Sequence, residues 1–158
     1  MDKTTSTNDE VASYAAGGED VAVFAYEQES GKGSKGRSFS SRRGGIYLSF
    51  IKHYYGLRAE NAYDVTKGIS VAVVLTLRAF GIKAVIKWPN DVFVGNKKIC
   101  GMITENKIEN GFVRYTLCGV GINVNNDLPC ELKDIATSAK EVLGKPLDVL
   151  TVLHTLVY

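Results

Sequence analysis

A chain of 158 residues suits one domain, and with 45% hydrophobic and 23% charged residues it can bury a core without staples. The net charge of +2 does not by itself imply a polyanionic partner. Three cysteines, Cys100, Cys118 and Cys130, match no metal-knuckle spacing. No apolar run reaches membrane-spanning length and no signal peptide opens the chain, so the expectation is a cytoplasmic protein with reduced, mostly buried thiols.

In chain order, Thr7-Asn8-Asp9-Glu10 has the spacing of a capping box and predicts a helix to about Ala16, stopped by Gly17-Gly18. Ser6, Thr7 and Asn8 either cap that helix or turn their hydroxyls and N–H groups to a ligand. Val21 to Tyr26 reads as a buried strand. Gly31-Lys32-Gly33-Ser34-Lys35-Gly36-Arg37 then interleaves three glycines with three cations. Glycine lets the backbone approach closely, and cations beside free N–H groups can cradle an anion. The alternative is a basic surface loop. Between Ser30 and Lys52 there is no acidic residue.

Arg42-Arg43-Gly44-Gly45 leads into a strand from Ile46 to Lys52. Apolar positions Ala62, Val65, Ile69, Val73, Leu77 and Phe80 recur at helical spacing, with Gly81 as a stop. Ile82 to Ile86 reads as a short buried strand ending before Pro89, and Pro-Asn-Asp is turn chemistry. Val92 to Val94, a Gly95-Asn96 turn and a return along Lys97 to Thr104 make a hairpin. This puts Lys87, Asn90 and Asp91 at one strand end with Lys98 returning alongside, an anion clamp or simply a solvated edge lysine. Phe112 to Leu117 alternates as a strand. In Gly119-Val120-Gly121-Ile122-Asn123, glycines inside a strand suggest that a ligand or another backbone comes close. A helix is expected over Leu132 to Leu143 with Gly144 as its stop, and another from Val149, capped by Asp148, running off the end at Tyr158.

Four of these segments together resemble the catalytic domain of biotin–protein ligases: Ser6-Thr7-Asn8; Gln28 to Arg37, continuing to Ser41-Arg42-Arg43-Gly44-Gly45-Ile46-Tyr47; Lys87 to Asp91 with Lys98 and Gly101; and Gly119 to Asn123. The resemblance implies an α+β fold, a mixed β-sheet flanked by helices, as in class II aminoacyl-tRNA synthetases. It also implies a ligase that adenylates biotin with Mg2+ and ATP and transfers biotin to a lysine of a biotin carboxyl carrier domain. By that resemblance the catalytic residues are Lys87, Lys32 and Arg37. Biotin is held by Ser6, Thr7, Asn8, Gln28, Gly31, Lys32, Lys87, Gly101 and Gly121. The nucleotide meets Lys32, Gly33, Ser34, Lys35, Gly36, Arg37, Phe39, Asn90, Lys98 and Asn123, and Asp91 is the candidate for the metal. His53 and His154 are expected to be bystanders.

The departures from the family pattern are Lys32 and Ser34 where arginine is usual, Phe39 for tryptophan and Arg42 for proline. Lysine loses the bidentate fork and serine loses the charge, so a looser hold on the adenylate is expected. Residues 1–158 are expected to be the catalytic domain alone, without a winged helix before it or the small C-terminal β-barrel, so a repressor role and DNA binding are not expected. Whether it is a minimal or a truncated ligase stays open, as does a homodimer through a sheet edge. Two other readings stay open: a non-catalytic biotin or adenylate binder, and a lipoate or octanoate ligase on the same fold.

Overall fold

The computed structural model describes residues 1–158, the side chain of Lys35 excepted. Six strands form one sheet in the order β1-β2-β6-β5-β4-β3, every neighbouring pair antiparallel. They are β1 (Val21–Ala25), β2 (Ile46–His53), β3 (Val85–Lys87), β4 (Asp91–Val94), β5 (Lys97–Glu109) and β6 (Phe112–Ile122). Among the described residues, parallel pairing is confined to two isolated bridges, Thr4 with Gln28 and Lys98 with Ala136. The helices are α1 (Thr7–Ala12), α2 (Ala62–Ala79), α3 (Ala139–Leu143) and α4 (Val149–Val157). Among the described residues no helix is long and apolar enough to cross a membrane.

The sheet has two unlike faces because strand residues alternate. One face carries Leu48, Cys100, Met102, Cys118 and Val120 against Val73, Val74 and Leu77 of α2 and Val152 of α4, which is the main core. α2 follows the expected apolar period, and Gly81, at φ 82°, ends it with Ile82 N–H donating to Leu77 O at 3.1 Å. The period missed three polar positions, Thr66, Ser70 and Thr76, which are also buried; Ser70 returns its hydroxyl to Thr66 O at 2.8 Å. On α4, Asp148 caps as expected, accepting from Thr151 N–H at 2.8 Å. The opposite face is closed on one side by α1 through Val11, Ile51 and Leu117. It remains open over the middle of the sheet.

Four local expectations are corrected. The capping box is not made: Ser6 is the N-cap with no side-chain bond, Thr7 turns away to Gln28, and Glu10 accepts from Thr4 instead. α1 therefore stops at Ala12, and a 3-10 turn over Ala15–Gly17 completes the expected span. Ile82 and Ala84 are buried, but the strand starts only at Val85 and all three of its residues are exposed, because β3 is an edge with one neighbour. No helix spans Leu132 to Leu143. The backbone there is drawn into the sheet: Lys98 N–H donates to Ile135 O, Thr137 N–H to Lys98 O and Ala139 N–H to Asn123 O, each within 3.0 Å. Helix begins only afterwards, at Ala139.

Burial pushes the thiol pKa of Cys118 up to about 12 and that of Cys100 upward too, so both are inert core residues; Cys130 is exposed. Leu77 is fully buried between sheet and helices. Truncating it to alanine is expected to cost about 2–5 kcal/mol, seen as a lower urea midpoint at unchanged m-value; a midpoint within error of wild type would show that the core lies elsewhere.

Candidate functional site

One row of paired residues crosses all six strands: Ala25, Tyr47, Gly121, Gly101, Asp91 and Lys87. The next row on the same face runs Val23, Ser49, Gly119 and Ile103. Three of these positions in the middle of the sheet are glycine, so a trough is cut into its open face. What fills the trough explains why side chains are missing. A Cβ on Gly121 would stand 2.5 Å from the Phe39 ring, and one on Gly101 would stand 2.7 Å from Lys98 Nζ and 3.2 Å from Phe39. A Cβ on Gly119 would collide with the Asn8 amide.

The trough is the floor of a narrow cleft. It brings together Thr7, Asn8, Gln28, Lys32, Gly33, Ser34, Phe39, Asn90, Lys98, Gly101 and Gly121 of the sequence-predicted set. Its two ends differ in chemistry. At one end lies a neutral hydrogen-bond network. The Gln28 amide nitrogen donates to Ser41 Oγ at 2.8 Å, and Ser41 donates to Phe39 O at 2.9 Å. Gln28 Oε1 faces Thr7 N–H at 2.8 Å and Thr7 Oγ1 at 2.9 Å. Thr7 Oγ1 is also 2.7 Å from Ser49 Oγ, and Ser49 donates to Asn8 Oδ1. Gly31 belongs to this end as a packing position: any Cβ there would strike Ser41 Oγ and Phe39 O. Ser6 sits behind the network with its Oγ buried and without a partner among the described residues.

At the other end the groups are charged. Lys98 pairs with Asp91 at 2.7 Å and stands 5.9 Å from the Phe39 ring centre. Lys32 pairs with Asp9 of α1. Arg37 donates to Ser34 O at 3.2 Å and Ser34 Oγ at 2.9 Å. The basic loop is a folded turn: Phe39 N–H donates to Gly31 O and Gly33 N–H to Arg37 O, each at 2.7 Å, with Gly36 at φ 73°. The side chain of Lys35 lies outside the described residues. Beyond Phe39 a second cleft is lined by Arg37, Asn123, Leu128, Leu132 and Ile135. Phe39 is the partition between the two.

Not every expected residue reaches the cleft. Lys87 belongs to the glycine row, yet its ammonium rests over Phe93, 4.4 Å from the ring centre, outside the cleft lining. Asn123 is buried with its amide satisfied, donating to Thr137 O at 3.1 Å and accepting from Asn126 at 3.0 Å. Asn90 is tied to β5, its amide donating to Met102 O at 2.8 Å. Among the described residues no group of three or more His, Cys, Asp or Glu could hold a metal, and Asp91 already faces Lys98. A hard cation that wants about six oxygens would have to bring most of them on its own ligand. His53 lies far from the trough, packed on Tyr115. Sequence reasoning missed Ser49 and Ser41, which close the network. Ser49 left a signal, one polar residue in the apolar run Ile46-Tyr47-Leu48-Ser49-Phe50-Ile51.

A family model described as the biotin/lipoate A/B protein ligase family matches residues 1–123. The chain is 38% identical over 153 residues to the bifunctional ligase/repressor BirA of Bacillus subtilis, covering 94% of this chain and 46% of that one. It is 31% identical over 144 residues to the biotin--[acetyl-CoA-carboxylase] ligase of Mycobacterium tuberculosis, covering 86% and 52%. The chain thus spans about half the length of these curated relatives. Among solved structures it resembles the biotin protein ligase from Aquifex aeolicus in complex with biotin and ATP, with a TM-score of 0.75 and 29% identity over 99% of this chain and 65% of that one. A lipoate protein ligase from Thermoplasma acidophilum shares the fold, with a TM-score of 0.66 at 13% identity.

The trough predicts its own sensitivity. In Gly121→Ala the new methyl expels the Phe39 ring, and the ring-current shifts that Phe39 imposes on the Gly101 α-protons collapse in proton NMR. Unchanged shifts would mean that the floor does not depend on glycine.

Proposed function

Since the chain belongs to the biotin/lipoate A/B protein ligase family, we propose that it joins biotin to ATP as biotinyl-5′-AMP and passes the biotinyl group to a lysine of a biotin carboxyl carrier domain. The observation that carries this reading is the polarity of the cleft. A glycine-floored trough joins a neutral donor–acceptor network to a cluster of cations. Biotin has the matching form: a neutral ureido head, an apolar body and a carboxylate tail.

In this reading the Thr7, Gln28, Ser49 and Asn8 groups hold the ureido head, and the glycine rows admit the ring system and valeryl chain. The carboxylate then lies by Lys98. A carboxylate oxygen attacks the α-phosphorus, the bond to the β-phosphate bridge breaks, and pyrophosphate leaves. Two anions must meet, so fixed positive charge is the main requirement and no protein nucleophile is needed. Lys98 and Lys32 are held ready in ion pairs, and an incoming anion competes with Asp91 and Asp9 for them. Lys87 acts only after leaving the Phe93 ring, a swing available to an exposed side chain. Mg2+ would arrive with ATP, the phosphates supplying most of its oxygens and Asp91 at most one. Phe39 leaves the partition to stack on the adenine, and Asn123 lines the nucleotide side.

Single-turnover formation of biotinyl-5′-AMP tests this, with octanoate and lipoate as controls. Product with biotin alone is expected, and Lys98→Ala is expected to slow it by about 10²–10³-fold, the usual effect of removing one transition-state charge partner. Product with lipoate or octanoate but not biotin would overturn the assignment. Ser34 accepts from Arg37 but adds no charge of its own. Ser34→Arg should therefore lengthen retention of the adenylate, measured by its release into filtrate; equal retention in both proteins would refute the role given to this loop position.

A further inference from the structure

We propose that Lys87 is a reserve cation, held on the Phe93 ring and drawn to Asp91 when an anion takes Lys98 from that carboxylate. This deepens the adenylation reading above and rests on it for the identity of the anion. Four side chains carry it, and all four stand on the open face at the β3 end of the sheet. Lys87 pairs with Asp91 across β3 and β4, and Asp91 with Gly101 across β4 and β5. The register of β4 and β5 then shifts: Val92 pairs with Cys100, but Phe93 pairs with Lys98. Ile99 is the extra residue of that bulge, and both Ile99 and Cys100 are fully buried in the core. Without the bulge, strand alternation would put Lys98 on the core face with Cys100. A bulge re-aims the side chain beyond it. Lys98 therefore faces the same way as Gly101, Asp91 and Phe93.

The charges of this group are unevenly used. Asp91 pairs with Lys98 at 2.7 Å, with side chains 27% and 30% exposed. Lys87 is exposed and stands directly opposite the same carboxylate in the ladder. Yet among the described residues it forms no ion pair, and its ammonium lies over the Phe93 ring, 4.4 Å from the centre. Charge counting gives the reason. One carboxylate and one ammonium already balance, and a second ammonium at Asp91 would be repelled by Lys98. The ring face is a weak attraction that nothing opposes. The balance changes when a carboxylate or phosphate enters the cleft that Lys98 lines and binds it there. The group then carries two negative charges against one positive, and Asp91 has lost its partner. Lys87 reaches either the ring or the carboxylate by rotating its own side chain. Both contacts are weak, so one added charge decides between them. Phe93 and Asp91 are thus positioning residues. Phe93 keeps the second lysine out of an empty cleft, and Asp91 brings it in beside the reacting anions, where two negative groups must meet.

The test is NMR of the protein isotope-labelled at the lysine ε-carbons, with the Lys87 signal identified by its loss in Lys87→Arg. In free wild type the Lys87 ε-protons should be shifted upfield by the Phe93 ring, and Phe93→Leu should abolish that shift while the other lysine signals stay in place. Lys98→Ala, with no ligand present, should also abolish it, because Asp91 is left unpaired. Adding Asp91→Asn to Lys98→Ala should restore it, which a general loss of structure would not do. In wild type, titration with inorganic pyrophosphate should move the Lys98 signal and release Lys87 from the ring in the same titration. A Lys87 signal without a ring shift in free wild type overturns the proposal. So does a ring shift retained in Lys98→Ala or in wild type with pyrophosphate, and so does a Lys98 signal that pyrophosphate leaves unmoved. The ligand-free variants depend on no reaction. Release in Lys98→Ala and by pyrophosphate, together with no biotin-dependent exchange in wild type, would therefore uphold the lysine movement and overturn the adenylation reading.

Discussion

The absence of side chains at three positions of two neighbouring strands is the constraint on which the rest of the structure depends. Gly101 faces Gly121 across β5 and β6, and Gly119 faces Ile103 one row further on. A sheet face normally fills with side chains that pack on a helix. Here the opposite face does that, and the open face is kept hollow. Phe39, Lys98 and Asn8 each occupy space that a single methyl would take from them. The cost is a weaker strand at each glycine, by roughly 0.5–1 kcal/mol relative to alanine. The long ladder between β5 and β6, from Cys100 with Ile122 to Glu109 with Phe112, offsets it.

The second feature is that the cations round the trough are matched with anions or carbonyls of the protein itself. Lys98 faces Asp91, Lys32 faces Asp9, and Arg37 is folded back onto Ser34. Such pairs spare the protein an uncompensated positive cluster, and the exposed Lys32–Asp9 pair is worth little. Weak pairs are easily exchanged for a phosphate or carboxylate. The neutral network at the other end is fixed through multiple bonds, with Gln28 and Thr7 each contacting two partners. One end is therefore built for shape and the other for charge.

Much of this was legible in the sequence where local chemistry and tertiary structure agree. The period of α2, its Gly81 stop and the Gly95 turn act within a few residues, and packing does not contradict them. The glycine and cation segments were legible as a set through their family order, and most of their residues converge on one cleft. What failed did so where a distant partner outbid a local one. Thr7 has the spacing to cap α1, but Gln28 and Ser49 take its hydroxyl. Residues 132–138 have helical composition, but Lys98 of β5 takes the Ile135 carbonyl and the Thr137 N–H. Ser49 was passed over because only the fold reveals that its strand position faces the trough. Lys87 shows the limit of register: the row aims it at the site, while the Phe93 ring beside it holds its ammonium elsewhere.

The central claim is that this cleft activates the carboxylate of biotin. Biotin-dependent exchange of pyrophosphate into ATP measures that directly, because it reports reversible adenylation without any carrier protein. The account predicts exchange with biotin, and none with octanoate or lipoate. Exchange supported by one of those acids instead, or calorimetric binding of biotin with no exchange at all, would contradict it.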